Sequence, residues 1–152
     1  MPRQSRLYDD FGLTKASSRT SEVGSSLSNY SHEVLRRAAG AAARSLAGSN
    51  SATFSLPHSD AQGFAAIAEG ALLGSYLFDQ FKGATKKDQR APLTKITIHS
   101  THARGVNAQT ILSRASVIAK YTHIVRDLIN TPPSHLTPST FVAEFKKLAG
   151  SR

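Results

Sequence analysis

The sequence has no cysteine, no tryptophan and a single methionine in 152 residues. Without Cys, a disulfide scaffold, a thiolate metal site and a Cys nucleophile are excluded. No apolar run approaches the ~18 residues that a membrane-spanning helix needs. The N-terminal MPRQSRLYDDFG has basic residues with no apolar stretch behind them, so it does not read as a secretory signal. These absences set the expectation of a reduced, cytoplasmic setting. Signature loops are missing too: there is no G-x-G-x-x-G, no P-loop and no G-x-S-x-G elbow. Acidic residues are scarce and scattered, so no carboxylate pair points to acid–base work. What is present is enough for a fold. Hydrophobic residues make up 39% and charged residues 19%, which excludes global disorder, and the length fits one domain or a domain with a tail.

The shortage of acids is local. Nineteen Lys+Arg against ten Asp+Glu give a net charge of +9. Residues 80–126 carry +8 of it, with Asp88 their one acid. Lys82, Lys86, Lys87, Arg90, Lys95 and Arg104 are candidate polyanion contacts, and Arg114, Lys120 and Arg126 continue the block. Such a zone is an electrostatic footprint for polyanions. It also fits a solvated surface or a face that meets acidic groups elsewhere, since no nucleic-acid module motif accompanies it.

Residues 1–31 hold eight Ser, with Gly12 and Gly24, and show no sustained period of 2 or 3.6 residues; they read as a divergent or disordered leader. From Ser31, a candidate N-cap, the run HEVLRRAAGAAARSLAG places Val34, Leu35, Ala38, Ala42 and Leu46 on one helical face, and Gly48 stops it. SATFSLP alternates Ala52, Phe54 and Leu56 with polar neighbours and predicts a strand. Asp60 is a candidate cap for a second helix reaching about Phe81, striped by Phe64, Ile67, Ala68, Ala71 and Leu72 and extended by Ser75 and Phe78. Gly70 and Gly74 inside it imply close approach to another element. LTKITIHS predicts a strand with its Ile face inward, and a long helix follows from about Val106 to Ile129. Its stripe is Ile111, Leu112, Ala115, Ile118, Ala119, Thr122, Val125 and Ile129. Pro132 and Pro133 end it, and Thr137-Pro138 opens a last helix closed by Gly150. This order argues an α/β fold in which a small sheet is flanked by helices and a long connecting helix follows. Two strands alone make a poor sheet, so further strands are expected from the leader or a partner. Six histidines are dispersed; His99 and His102 are the closest pair, with no carboxylate nearby in sequence to complete a metal site. A Ser-His-Asp triad is left open by composition.

Two segments carry a family pattern. In AEGALLGSYLFDQFK, Glu69, Gly70, Leu73, Gly74, Tyr76, Phe78, Phe81 and Lys82 fit E-G-x-x-L-G-x-Y-x-F-x-x-[FY]-K. In VRDLINTPPSHLTPSTFV, Arg126, Asp127, Leu128, Asn130, Pro132, Pro133, Leu136 and Pro138 fit R-[DN]-L-x-N-x-P-[PSA]-x-x-L-x-P. Together, over about residues 32–150, they resemble the N-terminal domain and interdomain connector of the leucyl aminopeptidase (cytosol aminopeptidase) family. The resemblance implies a partial N-terminal α/β, macro-like domain over 32–130 and, over 131–152, the connector and first helix of a catalytic domain. It implies a parent enzyme that releases N-terminal amino acids from peptides with two divalent ions, Mn or Zn, and assembles as a homo-oligomer, a hexamer in the family. The family's K-G-[IV]-x-F-D-[ST]-G-G and N-T-D-A-E-G-R segments are absent from this sequence. No catalytic residue, metal ligand or cofactor site is therefore carried over, and the expected role is structural or oligomerisation support within a fragment. The alternatives are a stand-alone basic DNA-binding module and a non-functional truncated gene product.

Overall fold

A computed structural model of the chain describes residues 30–83, 86, 88–105 and 107–150. The expected leader lies outside the described residues except for Tyr30 and Ser31, and so do Lys87 and Val106. The elements run α1 (His32–Ser45), β1 (Ser51–Phe54), α2 (Ala61–Gly74), β2 (Lys95–Ile98), a short 3-10 turn (Thr101–Arg104), α3 (Ala108–Asn130) and α4 (Pro138–Gly150). This is a partial α/β domain, as the alternation of patterns predicts.

Local chemistry sets most of these boundaries. Ser31 Oγ accepts from the Val34 amide and Asp60 from the Gly63 amide, so both expected caps start their helices. The α1 helix gives way to Gly48, whose φ of +95° is open to glycine, and the Gly48 amide donates to Ala91 O. β1 and β2 pair in parallel, Ser51 opposite Lys95 through Phe54 opposite Ile98. Among the described residues the sheet has these two strands.

The core lies between α1, α2 and the sheet. Leu35, Ala38, Ala39, Ala42 and Ala43 of α1 pack with Ala66, Ile67 and Ala71 of α2, and with Phe54, Leu56 and Leu93. Small residues let the two helices approach to backbone contact. A Cβ on Gly70 would run into the Arg36 carbonyl, and one on Gly74 into the Gly40 carbonyl. This is the close approach that two glycines inside a helix imply.

Two expectations are corrected. The α2 helix ends at Gly74, not near Phe81. The Ser75 amide donates to Leu72 O and its hydroxyl to Ala71 O, closing the last turn. Phe78 and Phe81 find ring partners off the helix, Phe78 against Phe81 at 5.8 Å and Phe81 against His135 at 4.7 Å. The α3 stripe is only partly covered: Ala108, Ala115 and Ala119 are buried, whereas Ile118, Val125 and Ile129 are exposed. Ala108, Ala115 and Ala119 lie on the side of α3 turned to the domain, and Ile118, Val125 and Ile129 fall on its outer flank at helical spacing. The 3-10 turn after β2 carries no periodic signal in the sequence; Ser100 caps it by accepting from the His102 amide.

Candidate functional site

The two family-like segments meet at one side chain. Tyr76 leaves the end of α2 just beyond its cap. On α3, His123, Arg126, Asp127 and Asn130 recur at three- and four-residue spacing and so share a face. That face closes on Tyr76. The Tyr76 hydroxyl donates to Asp127 Oδ1 at 2.8 Å and accepts from Asn130 Nδ2 at 3.0 Å. The Arg126 guanidinium stacks 3.7 Å from the ring centroid, while its Nη1 donates to Leu73 O at 3.3 Å. The His123 ring lies 5.2 Å from that of Tyr76.

The electrostatics follow from this enclosure. Burial pushes the Tyr76 hydroxyl up, with the Asp127 carboxylate adding to the effect. Burial, reinforced by the adjacent Arg126, lowers the His123 pKa below its usual range. His123 Nε2 is buried without a hydrogen-bond partner, which disfavours a charged ring still further. The tyrosine oxygen has one donor and one acceptor contact filled, so the cluster acts as a latch between the segment after α2 and α3.

The other motif residues support the same junction. Glu69 on α2 takes Arg36 of α1 at 3.0 Å, and Arg36 also reaches Glu33 at 2.6 Å. Partial burial opposes the guanidinium charge, but the two carboxylates outweigh it and raise the Arg36 pKa. Gly70 and Gly74 provide the helix contact described above. Phe78 packs on Phe81. Beyond the latch, Thr131 Oγ1 donates to Asp127 O, and Pro132 O accepts from the His135 and Leu136 amides, which shapes the connector. Pro133 is exposed in that connector. Thr137 Oγ1 accepts from the Thr140 amide and Pro138 is the first residue of α4. The sequence singled out these residues from a pattern; it did not reveal that Tyr76 is their meeting point, nor that His123 joins them. Helical spacing from Arg126 back to His123 is the signal that could have found it.

The basic residues are placed separately. Lys86 is ion-paired to Asp79 at 3.0 Å, and the Arg90 side chain lies over Gly48. Lys82, Lys95 and Arg104 are exposed, on the segment after α2, on β2 and on the 3-10 turn respectively. Among the described residues, no three His, Asp or Glu side chains gather in a way that could hold a metal ion. None of the described helices is long and apolar enough to cross a membrane.

Fold and junction together define a small α/β domain with a long helix clamped to it by one tyrosine. Residues 17–85 match the cytosol aminopeptidase family, N-terminal domain. That match begins ahead of His32, so the likeness reaches back into the segment read as a leader. Over 116 residues the chain is 44% identical to a probable cytosol aminopeptidase of Streptomyces avermitilis, covering 75% of this chain and 23% of that protein. A probable cytosol aminopeptidase of Micrococcus luteus is 43% identical over 114 residues, 73% of this chain and 22% of its own length. The bottromycin maturation enzyme BotP superposes with a TM-score of 0.67 at 25% identity, over 82% of this chain and 26% of that one. BotP in complex with Mn gives 0.63 at 24% identity. The chain is thus a relative of the cytosol aminopeptidases, matched at their N-terminal domain, and it spans about a quarter of the length of the curated relatives.

Proposed function

We propose that this chain serves as the non-catalytic N-terminal part of a metal-dependent leucyl aminopeptidase, a cytoplasmic enzyme that releases N-terminal amino acids from peptides. Its role in that reading is structural: it presents the connector and α4 to a catalytic domain and supports homo-oligomer contacts. The observation that carries the reading is the Tyr76 latch, in which both family segments meet and which fixes the direction in which the connector leaves. The exposure of α4 supports it. No α4 residue is buried, and Phe141, Val142 and Phe145 are exposed in a row at helical spacing. Such a face fits an element that belongs with a second domain.

The test is hydrolysis of leucine p-nitroanilide by the purified 152-residue chain, with and without Mn or Zn. No hydrolysis is expected under either condition. Chelator-sensitive turnover by the chain alone would overturn the non-catalytic assignment.

A further inference from the structure

The two parallel strands end side by side, and the segments leaving them share one edge. Phe54 is opposite Ile98, and the His99 amide donates to Phe54 O at 2.9 Å. In open α/β sheets the crevice at the carboxyl ends of the strands is where ligands bind. Here the segment after β1 contributes His58 and the segment after β2 contributes Ser100.

Their hydrogen bonds fix the direction of a proton. His58 Nδ1 lies 2.8 Å from Leu56 O, and His58 Nε2 lies 2.6 Å from Ser100 Oγ. A carbonyl oxygen only accepts, so Nδ1 carries the ring proton. In the neutral imidazole Nε2 is then a lone pair, and the Ser100 hydroxyl donates into it. The serine oxygen also accepts from the His102 amide at 3.0 Å, which holds the hydroxyl in place. The base is equally constrained. A Cβ on Gly63 would stand 2.8 Å from His58 Cβ, so glycine there admits the histidine. The ring stacks on Phe64 at 6.3 Å and abuts His102 at 5.5 Å. A hydroxyl bonded to a base that a third group orients is the arrangement of an activated nucleophile. The third group is a backbone carbonyl. Asp60 is engaged elsewhere: it caps α2 and bonds His32 at 3.1 Å.

We propose that Ser100 is an activated nucleophile, with His58 as its general base, that takes the acyl group of a small activated ester. Ser100 Oγ attacks the ester carbonyl carbon, and the new C–O bond forms as the bond to the phenolate breaks. His58 Nε2 takes the hydroxyl proton and returns it to the leaving phenolate oxygen. Water then attacks the acyl carbon while His58 Nε2 takes its proton; the bond from that carbon to Ser100 Oγ breaks, His58 returns the proton to Oγ, and the carboxylic acid leaves. This site is independent of the aminopeptidase reading.

The probe is p-nitrophenyl acetate with the full chain, followed by intact mass, peptide mapping and p-nitrophenolate release. Either acetyl-Ser100 or a Ser100-dependent release of p-nitrophenolate is expected. S100A abolishes that signal, and H58Q slows it about a hundredfold, the scale of one general base. An internal comparison needs no variant: acetylation or turnover at Ser100 is expected to outpace acetylation of Ser113 and Ser116, which are exposed on α3. The proposal is overturned if acetyl groups appear on lysines alone with release unchanged in S100A. It is also overturned if a folded H58Q reacts at the wild-type rate, or if Ser100 reacts no faster than Ser113.

Discussion

Tyr76 illustrates how much one hydroxyl can organise when both of its hydrogen-bonding capacities are used. Removing the oxygen leaves Asp127 Oδ1 without its donor and Asn130 Nδ2 without its acceptor. Tyr76→Phe is expected to cost about 1–2 kcal/mol, because the cluster is only half-buried and water can re-pair part of it. Urea unfolding should show a lower midpoint at an unchanged slope. Gly70 is the stricter position, since a methyl group there meets the Arg36 carbonyl, which is backbone and cannot rotate aside. Gly70→Ala should therefore cost about 1–3 kcal/mol through helix separation, in spite of alanine's better helix propensity. A neutral or stabilising result in the same urea assay would contradict the close-contact reading. The sequence exposed Gly70 as anomalous because a glycine inside an apolar stripe has no local justification. The family pattern singled out Tyr76 but not its role as a meeting point, because Asp127 and Asn130 lie 51 and 54 residues further along the chain.

At the scale of elements, the division between legible and illegible follows the range of the interactions. Caps and stripes are local, so Ser31, Asp60, Phe64 and Ile67 disclose α1 and α2 from the chain alone. The end of α2 is decided by tertiary partners. Phe78 and Phe81 continue the helical spacing in the sequence, yet the helix stops at Gly74, and Phe81 meets His135 from beyond α3. The α3 stripe was legible as apolar but not as uncovered, since periodicity reports which side chains share a face and not what lies against it. The same logic makes α4 tolerant. With no buried residue to lose, Phe145→Glu is expected to change the chain's unfolding free energy by less than about 0.5 kcal/mol. A larger loss would mean that α4 contributes to the core.

At the scale of the whole molecule, acid should lower the stability of the domain in two pH ranges. The His123 pKa is lowered in the fold from 6.5, so the unfolded chain binds more protons as pH falls below that value. Its contribution is fully present above about pH 6.5 and is lost as pH falls through the lowered folded value. Asp60 is lowered from 3.8 by the Gly63 amide and by His32, so its contribution is present above about pH 4 and is lost below. Thermal melts at pH 8, 5.5 and 3.5 should fall in that order. His123→Leu should flatten the first step and Asp60→Asn, which can still cap the helix, the second. A melting temperature unchanged between pH 8 and 5.5 would contradict a His123 ring held neutral by its surroundings.

The parallel register also has a kinetic meaning. Ser51 must wait for Lys95 before β1 has a neighbour, and Tyr76 must wait for Arg126, whereas α1 and α2 touch across a much shorter stretch of chain. Closing longer loops is slower and entropically costlier. A chain leaving the ribosome can therefore dock α1 onto α2 while the β1 edge is still bare, and the tyrosine latch is the last part of the domain to close.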